Sequence, residues 1–230
     1  MDPFVLNGAY YSLPYDVLND FAPISPLTTL PTVLAARRTM PANDLRELIV
    51  WLKAHDNQAA VGMNTLGFRL LAALFQNQTR TQFTVVPYRS AGTQMQDLIA
   101  GRIDYQCPDT PIAIPQIHSK MVKAIAILTR ERSPGLPDQA TAHEQGVTDF
   151  DASNWFGAFF PKGTSAAVVD KLHAAILATI NTAAVKARMQ EIGADLVTRE
   201  RSSPDYLQRF VEAEIQKWAG PIKASGISMD

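Results

Sequence analysis

The sequence predicts an α/β fold with a mostly parallel sheet, on three observations. Short runs rich in β-branched and aromatic residues alternate with segments of helical periodicity. Proline or glycine punctuates the alternation, as at Pro87, Gly101, Pro108, Gly146, Pro161 and Gly193. Hydrophobic residues make up 47% of the chain and charged residues 19%, which supports a packed core and excludes disordered, collagen-like and low-complexity chains. The 230 residues correspond to one or two domains. Two domains joined by crossing strands fit the pattern, and so does one larger α/β domain.

The first stretch, to about Pro31, reads as irregular, with turn clusters at Ser12-Leu13-Pro14-Tyr15-Asp16 and Asp20-Phe21-Ala22-Pro23. A strand follows through Thr32 to Ala36. The first helix comes after Pro41, with Asp44 as N-cap and Glu47 completing a capping box. Leu45, Leu48, Ile49 and Leu52 form its buried stripe. A strand at Ala59 to Val61 leads through the loop Gly62 to Gly67 into a helix that buries Phe68, Leu71, Ala72 and Phe75. Phe83 to Val86 is a strand. The loop Pro87 to Gly92 precedes a helix over Thr93 to Ala100, stopped by Gly101. Ile103 to Cys107 is a strand, broken by Pro108-Asp109-Thr110-Pro111, which opens a short helix. Val122 to Leu128 is a buried strand.

Beyond the loop Arg132 to Asp138, a short helix near Ala142 to Gln145 ends at Gly146. Trp155 to Phe160 is an aromatic strand. A helix from Ser165 to Ile180 is expected to turn Val168, Val169, Leu172, Ile176 and Ile180 inward. A helix around Val185 to Ile192 and a strand over Ala194 to Thr198 follow. The last helix has Ser203 as N-cap, Pro204 at its first position and Asp205 in its first turn. Its apolar face is Leu207, Phe210, Val211, Ile215 and Trp218.

Charge and cysteine usage narrow the function. Lys and Arg number 21 against 22 Asp and Glu, a net charge of −1, so no basic field exists to collect nucleic acid. No run approaches about 18 apolar residues, so no membrane insertion is expected. The start, Met1 to Gly8, is not read as a signal peptide. Cys107 is the one cysteine, and at the end of an apolar strand it reads as a packed thiol. His55, His118, His143 and His173 carry no metal-ligand spacing, and no nucleotide motif is present. No catalytic residue, metal or cofactor is therefore assigned. An enzyme would regain weight were Cys107, His118 and Asp109 within hydrogen-bond reach of one another. Arg37-Arg38 and Arg130-Glu131-Arg132 read as solvated faces.

Two loops stand out. Gly62 to Gly67 and Pro87 to Gly92 each follow a strand and open a helix. Such turns aim free N–H groups and a positive helix end at one point, suiting a carboxylate or phosphate. Open parallel sheets bind ligands at these carboxyl ends. Asn64, Thr65, Ser90 and Thr93 add neutral side-chain donors, beside the backbone of Ala91 and Gly92. Ordinary βα turn chemistry explains the same residues. At a third strand end, Asp109 either accepts from a ligand amine or hydroxyl or caps the helix after it. Tyr88 and Trp155 fit the apolar wall of a pocket, with core packing the other account of Trp155.

These strings resemble a known family. Leu13-Pro14-Tyr15-Asp16 with Asp20-Phe21-Ala22-Pro23 is similar to the LPYD…DFAP signature of the tripartite tricarboxylate transporter solute receptors, the Bug or TctC-like periplasmic binding proteins. Val86-Pro87-Tyr88-Arg89-Ser90, Asp97 to Asp104, Arg132 to Asp138, Trp155-Phe156-Gly157 with Pro161-Lys162-Gly163-Thr164, and Glu214 to Trp218 match further motifs in the family's order. The resemblance implies a two-lobed type II periplasmic binding protein fold. It implies a receptor that closes on a small carboxylate without chemistry and delivers it to membrane permease subunits. Neutral donors and backbone amides would hold the ligand. By resemblance the location is periplasmic.

Two departures shape the expectation. The family's GSAGxGS loop is here Ala60-Val61-Gly62-Met63-Asn64-Thr65, with bulk at Met63 and Asn64 that would alter or block a pocket. The family's signal peptide and PFPPGG…D turn do not precede Leu13. At about 30 residues per βαβ unit, roughly 60 residues are expected to be missing. Lobe one is then an incomplete body of residues 1–35 with 156–230, and lobe two is residues 36–155. Ligand binding is expected to be weaker than in a full-length receptor. The apolar edges left on lobe one are expected to support a protein–protein contact or a homo-oligomer.

Overall fold

The computed structural model describes residue 5, residues 13–148 and residues 150–225. The irregular reading of residues 1–12 therefore lies outside the described residues except at Val5. Among those described, the elements run β1 (Phe21–Pro31), β2 (Val33–Arg37), α1 (Leu45–Ala54), β3 (Ala60–Met63), α2 (Leu66–Thr79), β4 (Thr84–Pro87) and α3 (Ala91–Ile99). They continue with β5 (Tyr105–Gln106), α4 (Thr110–His118), β6 (Val122–Ile127), β7 (Ser153–Pro161), α5 (Ala166–Ile180), α6 (Ala183–Glu191), β8 (Asp195–Leu196) and α7 (Pro204–Ser225). The chain divides into two compact units. The smaller comprises residues 1–29, 155–191 and 195–230, and the larger residues 30–154 and 192–194.

The larger unit is built on a five-stranded sheet in the order β4-β3-β5-β2-β6. β3 pairs parallel with β4 and β5, whereas β2 pairs antiparallel with both β5 and β6. The sheet is therefore mixed rather than mostly parallel in its pairings. One reversed strand between two neighbours is enough to do this, and alternation along a sequence does not specify which strands become neighbours. Val33 and Ala35 alternate with Leu34 and Ala36, and all four are buried, as expected of a strand covered on both faces. Val33 packs with Ala113, Ile114 and Ile127, and Ala35 with Met95, Leu98 and Ile103.

Local chemistry fixes the helices of this unit. Asp44 Oδ1 accepts from Glu47 N at 2.7 Å, while Glu47 Oε2 accepts from Asn43 N at 2.8 Å. The capping box is thus offset by one residue, since its return bond reaches Asn43 and not Asp44. Arg37 is not the solvated residue its sequence neighbourhood suggests. Its Nε donates to Asp104 Oδ1 at 2.8 Å, and Asp104 Oδ2 accepts from Ala60 N at 2.8 Å, so one carboxylate stitches β2 to β3. The expected helix at Ala142 to Gln145 is a series of turns. Thr141 N donates to Glu144 Oε2 (2.7 Å) and Glu144 N to Thr141 Oγ1 (3.0 Å), a capping box closed off within one turn by Gly146 at φ +91°.

The smaller unit holds a three-stranded sheet in the order β7-β1-β8. β1 occupies a stretch read from the sequence as irregular. Pro23 and Pro26 lack a ladder N–H, but the antiparallel pairing with β8 is made beyond them, at Thr28↔Leu196 and Thr29↔Asp195. Before it, Asp16 knits the Tyr15 to Asp20 turn by accepting from Leu18 N (2.8 Å) and Asn19 N (3.0 Å). Ser203 Oγ caps α7 by accepting from Tyr206 N at 3.1 Å. Leu207 and Val211 of that helix are buried with Val5 and Trp155.

α5 departs from expectation. None of its residues is buried, and Val168 and Leu172, expected to face inward, are 47% and 36% exposed. Helical periodicity identifies an apolar face but not what covers it. No single helix among the described residues is long and apolar enough to cross a membrane.

Candidate functional site at three helix starts

β4, β3 and β5 are adjacent and parallel, so their carboxyl ends lie side by side. Each runs directly into a helix: α3 after β4, α2 after β3 and α4 after β5. Three helix N-termini therefore stand in a row at one edge of the larger unit's sheet. Each carries partial positive charge and N–H groups with no intrahelical partner.

The caps set the local geometry. Thr65 Oγ1 accepts from Phe68 N at 3.3 Å and heads α2. Ser90 Oγ accepts from Thr93 N at 3.2 Å and lies 3.0 Å from Thr93 Oγ1, while Thr93 Oγ1 donates to Ser90 O at 3.0 Å. Because Ser90 is the cap, α3 begins at Ala91, two residues before the start expected from its apolar spacing. Ala91 and Gly92 belong to the first turn, and their N–H groups take no backbone partner among the described residues. The same holds for Leu66 and Gly67 of α2. Asn64 is half-buried between β3 and the Thr65 cap. Met63, expected from the sequence to alter or block a pocket, is buried with Leu34, Leu71 and Phe75 around a small internal cavity.

The loops are braced from behind. Tyr88 N donates to Met63 O at 2.8 Å, locking the β4 loop to the β3 loop. Gln94 is buried, and its Nε2 donates to Gly62 O at 2.6 Å. A Cβ on Gly62 would sit 2.7 Å from Ile103 Cδ1 and 2.9 Å from Gln94 Cγ, so any larger residue would displace one of these side chains. Gln94 carries no sequence signal that separates it from a surface glutamine.

Tyr88 and Asp109 have partners within the chain. Tyr88 Oη donates to Asp97 Oδ2 at 2.7 Å. Burial, then this hydrogen bond, pushes the phenol up to about 12. Its ring packs with the cluster around Met95 and Leu98. Asp109 occupies the N-cap position of α4 but makes no side-chain cap bond. Asn154 Nδ2 donates to both its oxygens, at 2.9 and 2.7 Å, and Thr32 Oγ1 to Oδ1 at 3.4 Å. Burial raises its carboxyl above the usual range, while the bonds from Asn154 and Thr32 pull the other way. Arg89, exposed in the β4 loop, adds a cation next to the Ser90 cap. A basic residue before an N-cap serine was the signal available for it.

Trp155 is placed in the smaller unit. It is 5% exposed, packs with Leu207 and Val211, and meets Phe210 edge-on at 5.2 Å. The Cys107, His118 and Asp109 trio is not assembled. Asp109 precedes the nine-residue α4 and His118 ends it, which separates them by roughly 13 Å along the axis. Cys107 is buried, and burial pushes its thiol up to about 12, away from the nucleophilic thiolate. Among the described residues, no group of three or more His, Cys, Asp or Glu is disposed to hold a metal ion.

Comparison with known proteins identifies the family and the fold. The model of the tripartite tricarboxylate transporter family receptor matches residues 2–227. BugT of Bordetella pertussis is 32% identical over 220 residues, covering 95% of this chain and 67% of that protein. A relative from the TAR-I ttuE-ttuC' intergenic region of Agrobacterium vitis is 30% identical, covering 94% of this chain and 63% of its own length. The chain thus spans about two-thirds of the length of these relatives. Among solved structures, MatC from Rhodopseudomonas palustris with bound malate superposes with a TM-score of 0.84 at 31% identity, covering 96% of this chain and 74% of that one. The periplasmic binding protein BugD gives 0.88 at 29%, covering 99% and 77%. Rpa4515 of R. palustris with adipate gives 0.86 at 28%, covering 95% and 73%. The α/β fold is that of these periplasmic binding proteins. With nearly its whole length matched, the chain belongs to the tripartite tricarboxylate transporter receptor family.

Proposed function

We propose that this chain is a solute receptor that binds a small organic mono- or dicarboxylate, without transforming it, at the three helix starts of the larger unit. The observation that carries the reading is the row of helix starts of α3, α2 and α4 at adjacent parallel strand ends. Partly positive N–H groups with no backbone partner are matched to an anion and need no buried cation. Asn64, Thr65, Ser90, Ala91 and Gly92 supply the donors, while Thr93, whose N–H and hydroxyl are both given to Ser90, closes the cap beside them. Tyr88 contributes its ring, since its hydroxyl is engaged by Asp97. The malate bound to MatC and the adipate bound to Rpa4515 set the ligand class to test first. Delivery would be to the membrane permease subunits of a tripartite tricarboxylate-type transporter, in the periplasm.

The test is isothermal calorimetry and thermal melting against malate, adipate, succinate, citrate and acetate, with an uncharged diamide as control. Saturable heat and a raised melting temperature with at least one acid are expected. No response to any acid, from a chain that melts cooperatively, overturns the receptor reading.

A second reading concerns association. The exposed apolar positions of α5, Val168 and Leu172, favour a second copy of the chain as their cover. Light scattering that gives a monomer mass at all concentrations, with no binding of a hydrophobic dye, removes it.

A further inference from the structure

The chain passes between its two units through three segments: around residues 29–32, around residues 152–155, and through the excursion 192–194. Within the larger unit, all three are held by two consecutive residues at the start of α4. Asp109 receives Asn154 Nδ2 on both carboxylate oxygens at 2.9 and 2.7 Å, and Thr32 Oγ1 at 3.4 Å. Thr110, fully buried, donates its Oγ1 to Gly193 O at 2.9 Å. Backbone bonds reinforce the arrangement, with Val33 N donating to Pro108 O at 2.8 Å and Thr32 N to Ala152 O at 3.4 Å.

The third segment is seated tightly. Gly193 has φ +67°, and a Cβ there would lie 2.7 Å from Ile114 Cδ1, 2.8 Å from Ser133 Oγ and 3.1 Å from Thr110 Cβ. Its carbonyl also accepts from Ser133 Oγ at 3.3 Å. A surface linker has no need of such a fit. Asp109 also gives up the ordinary task of its position, since it makes no cap bond to α4.

We infer that Asp109 and Thr110 form a clamp that fixes all three connecting segments to the start of α4, and that they act as positioning residues for carboxylate binding at the neighbouring helix starts. The second half of this inference rests on the receptor reading above. A loop-built site binds well only when its parts are ordered beforehand, because ordering them on binding subtracts from affinity. With the clamp intact, the first turn of α4 and the segments leading to it are held before ligand arrives.

The test uses the whole chain and two readouts. Hydrogen–deuterium exchange followed by mass spectrometry reports on residues 30–33, 152–155 and 192–194. Calorimetry with malate and adipate reports affinity. Asp109→Ala should speed exchange about tenfold in the first two segments, and Thr110→Val in the third, with a drop in acid affinity of about tenfold. Asp109→Asn combined with Asn154→Asp restores a donor–acceptor pair with its polarity reversed, and should recover slow exchange and most of the affinity. Ser119→Ala, at the far end of α4, is the control that changes neither. Should Asp109→Ala fail to fold, Thr110→Val and the double variant carry the test. Unchanged exchange in the three segments overturns the clamp whether or not any acid binds. Faster exchange at undiminished affinity overturns the positioning role. Absence of acid binding by the unmodified chain strikes at the receptor reading, and the exchange result still decides the clamp.

Discussion

The hydroxyl of Tyr88 donates to Asp97 Oδ2 at 2.7 Å, so the aromatic residue of the β4 loop is tied to its own following helix. Asp97 also accepts from Arg102 at 2.7 Å. The bond from Tyr88 and that from Arg102 hold the Asp97 carboxyl below the usual aspartate range. The depressed carboxyl contributes stability above its unfolded-state pKa, and this is lost as pH falls through its lower folded value. Tyr88 behaves oppositely. Its phenol is raised to about 12, so its contribution is complete below the usual tyrosine value near 10 and is lost as pH rises through about 12. An ultraviolet titration of tyrosinate should lose one late-ionising phenol in Tyr88→Phe. In Asp97→Asn that phenol should move to lower pH. Acid affinity near neutrality should change less than about twofold in Tyr88→Phe, because the hydroxyl is not offered to the ligand.

Ser90 allows the helix cap to be separated from the anion site. Its Oγ accepts from Thr93 N at 3.2 Å, a role that aspartate fills as well as serine. Ser90→Asp should therefore keep the melting temperature of the parent. It adds negative charge where a ligand carboxylate is proposed to sit, so affinity for malate or adipate should fall more than about tenfold. Ser90→Ala should lose about 1 kcal/mol of stability, measured by urea unfolding. Equal acid binding by Ser90→Asp and the parent would place the ligand elsewhere.

The two loops of the proposed site are legible as loops from the sequence because their signals are local. A strand ending at Pro87 and the Gly62 to Gly67 stretch after β3 mark them as helix-opening loops, but the start of α3 lies two residues before the expected Thr93, because apolar spacing does not register the Ser90 cap. What was not legible depends on neighbours far along the chain. Asp109 reads equally as a cap or a ligand acceptor, because its partner Asn154 lies 45 positions away. Arg37 reads as solvated until Asp104 is folded onto it. The apolar periodicity of α5 suggests an inward face, yet no residue of α5 is buried, because burial of a face needs a covering element that spacing does not describe. β1 was missed because prolines argue against strand locally, while the pairing partner at β8 arrives from the other end of the chain.

Trp155 provides a test of which residues belong to the site. It lies in the core of the smaller unit, and its Nε1 is buried with no hydrogen-bond partner among the described residues. Trp155→Ala should cost about 3–5 kcal/mol through the cavity it opens. Trp155→Phe should cost less than about 2 kcal/mol, because removing an unsatisfied buried N–H offsets part of the lost packing. Acid affinity of Trp155→Phe should stay within about twofold of the parent. A larger loss of affinity in a variant of unchanged melting behaviour would return Trp155 to the ligand wall.

Gly62 concentrates the dependence of the site on close backbone approach. It lies on β3 between Ile103 and Gln94, and its carbonyl accepts from Gln94 Nε2 at 2.6 Å. In Gly62→Ala the new methyl would lie 2.7 Å from Ile103 Cδ1 and 2.9 Å from Gln94 Cγ, so a side chain or the α3 backbone must shift. Overpacking of this kind costs about 1–3 kcal/mol. The displacement acts on the helix whose first turn carries Ala91, Gly92 and Thr93. Acid affinity should therefore fall along with stability, by about tenfold. Gln94→Ala in the Gly62→Ala background should recover part of the stability by making room, but not the affinity, because the brace between α3 and β3 is then gone. Urea unfolding and calorimetry on the two variants separate these effects. Full recovery of both by the double variant would show that steric crowding alone, and not the Gln94 brace, governs the site.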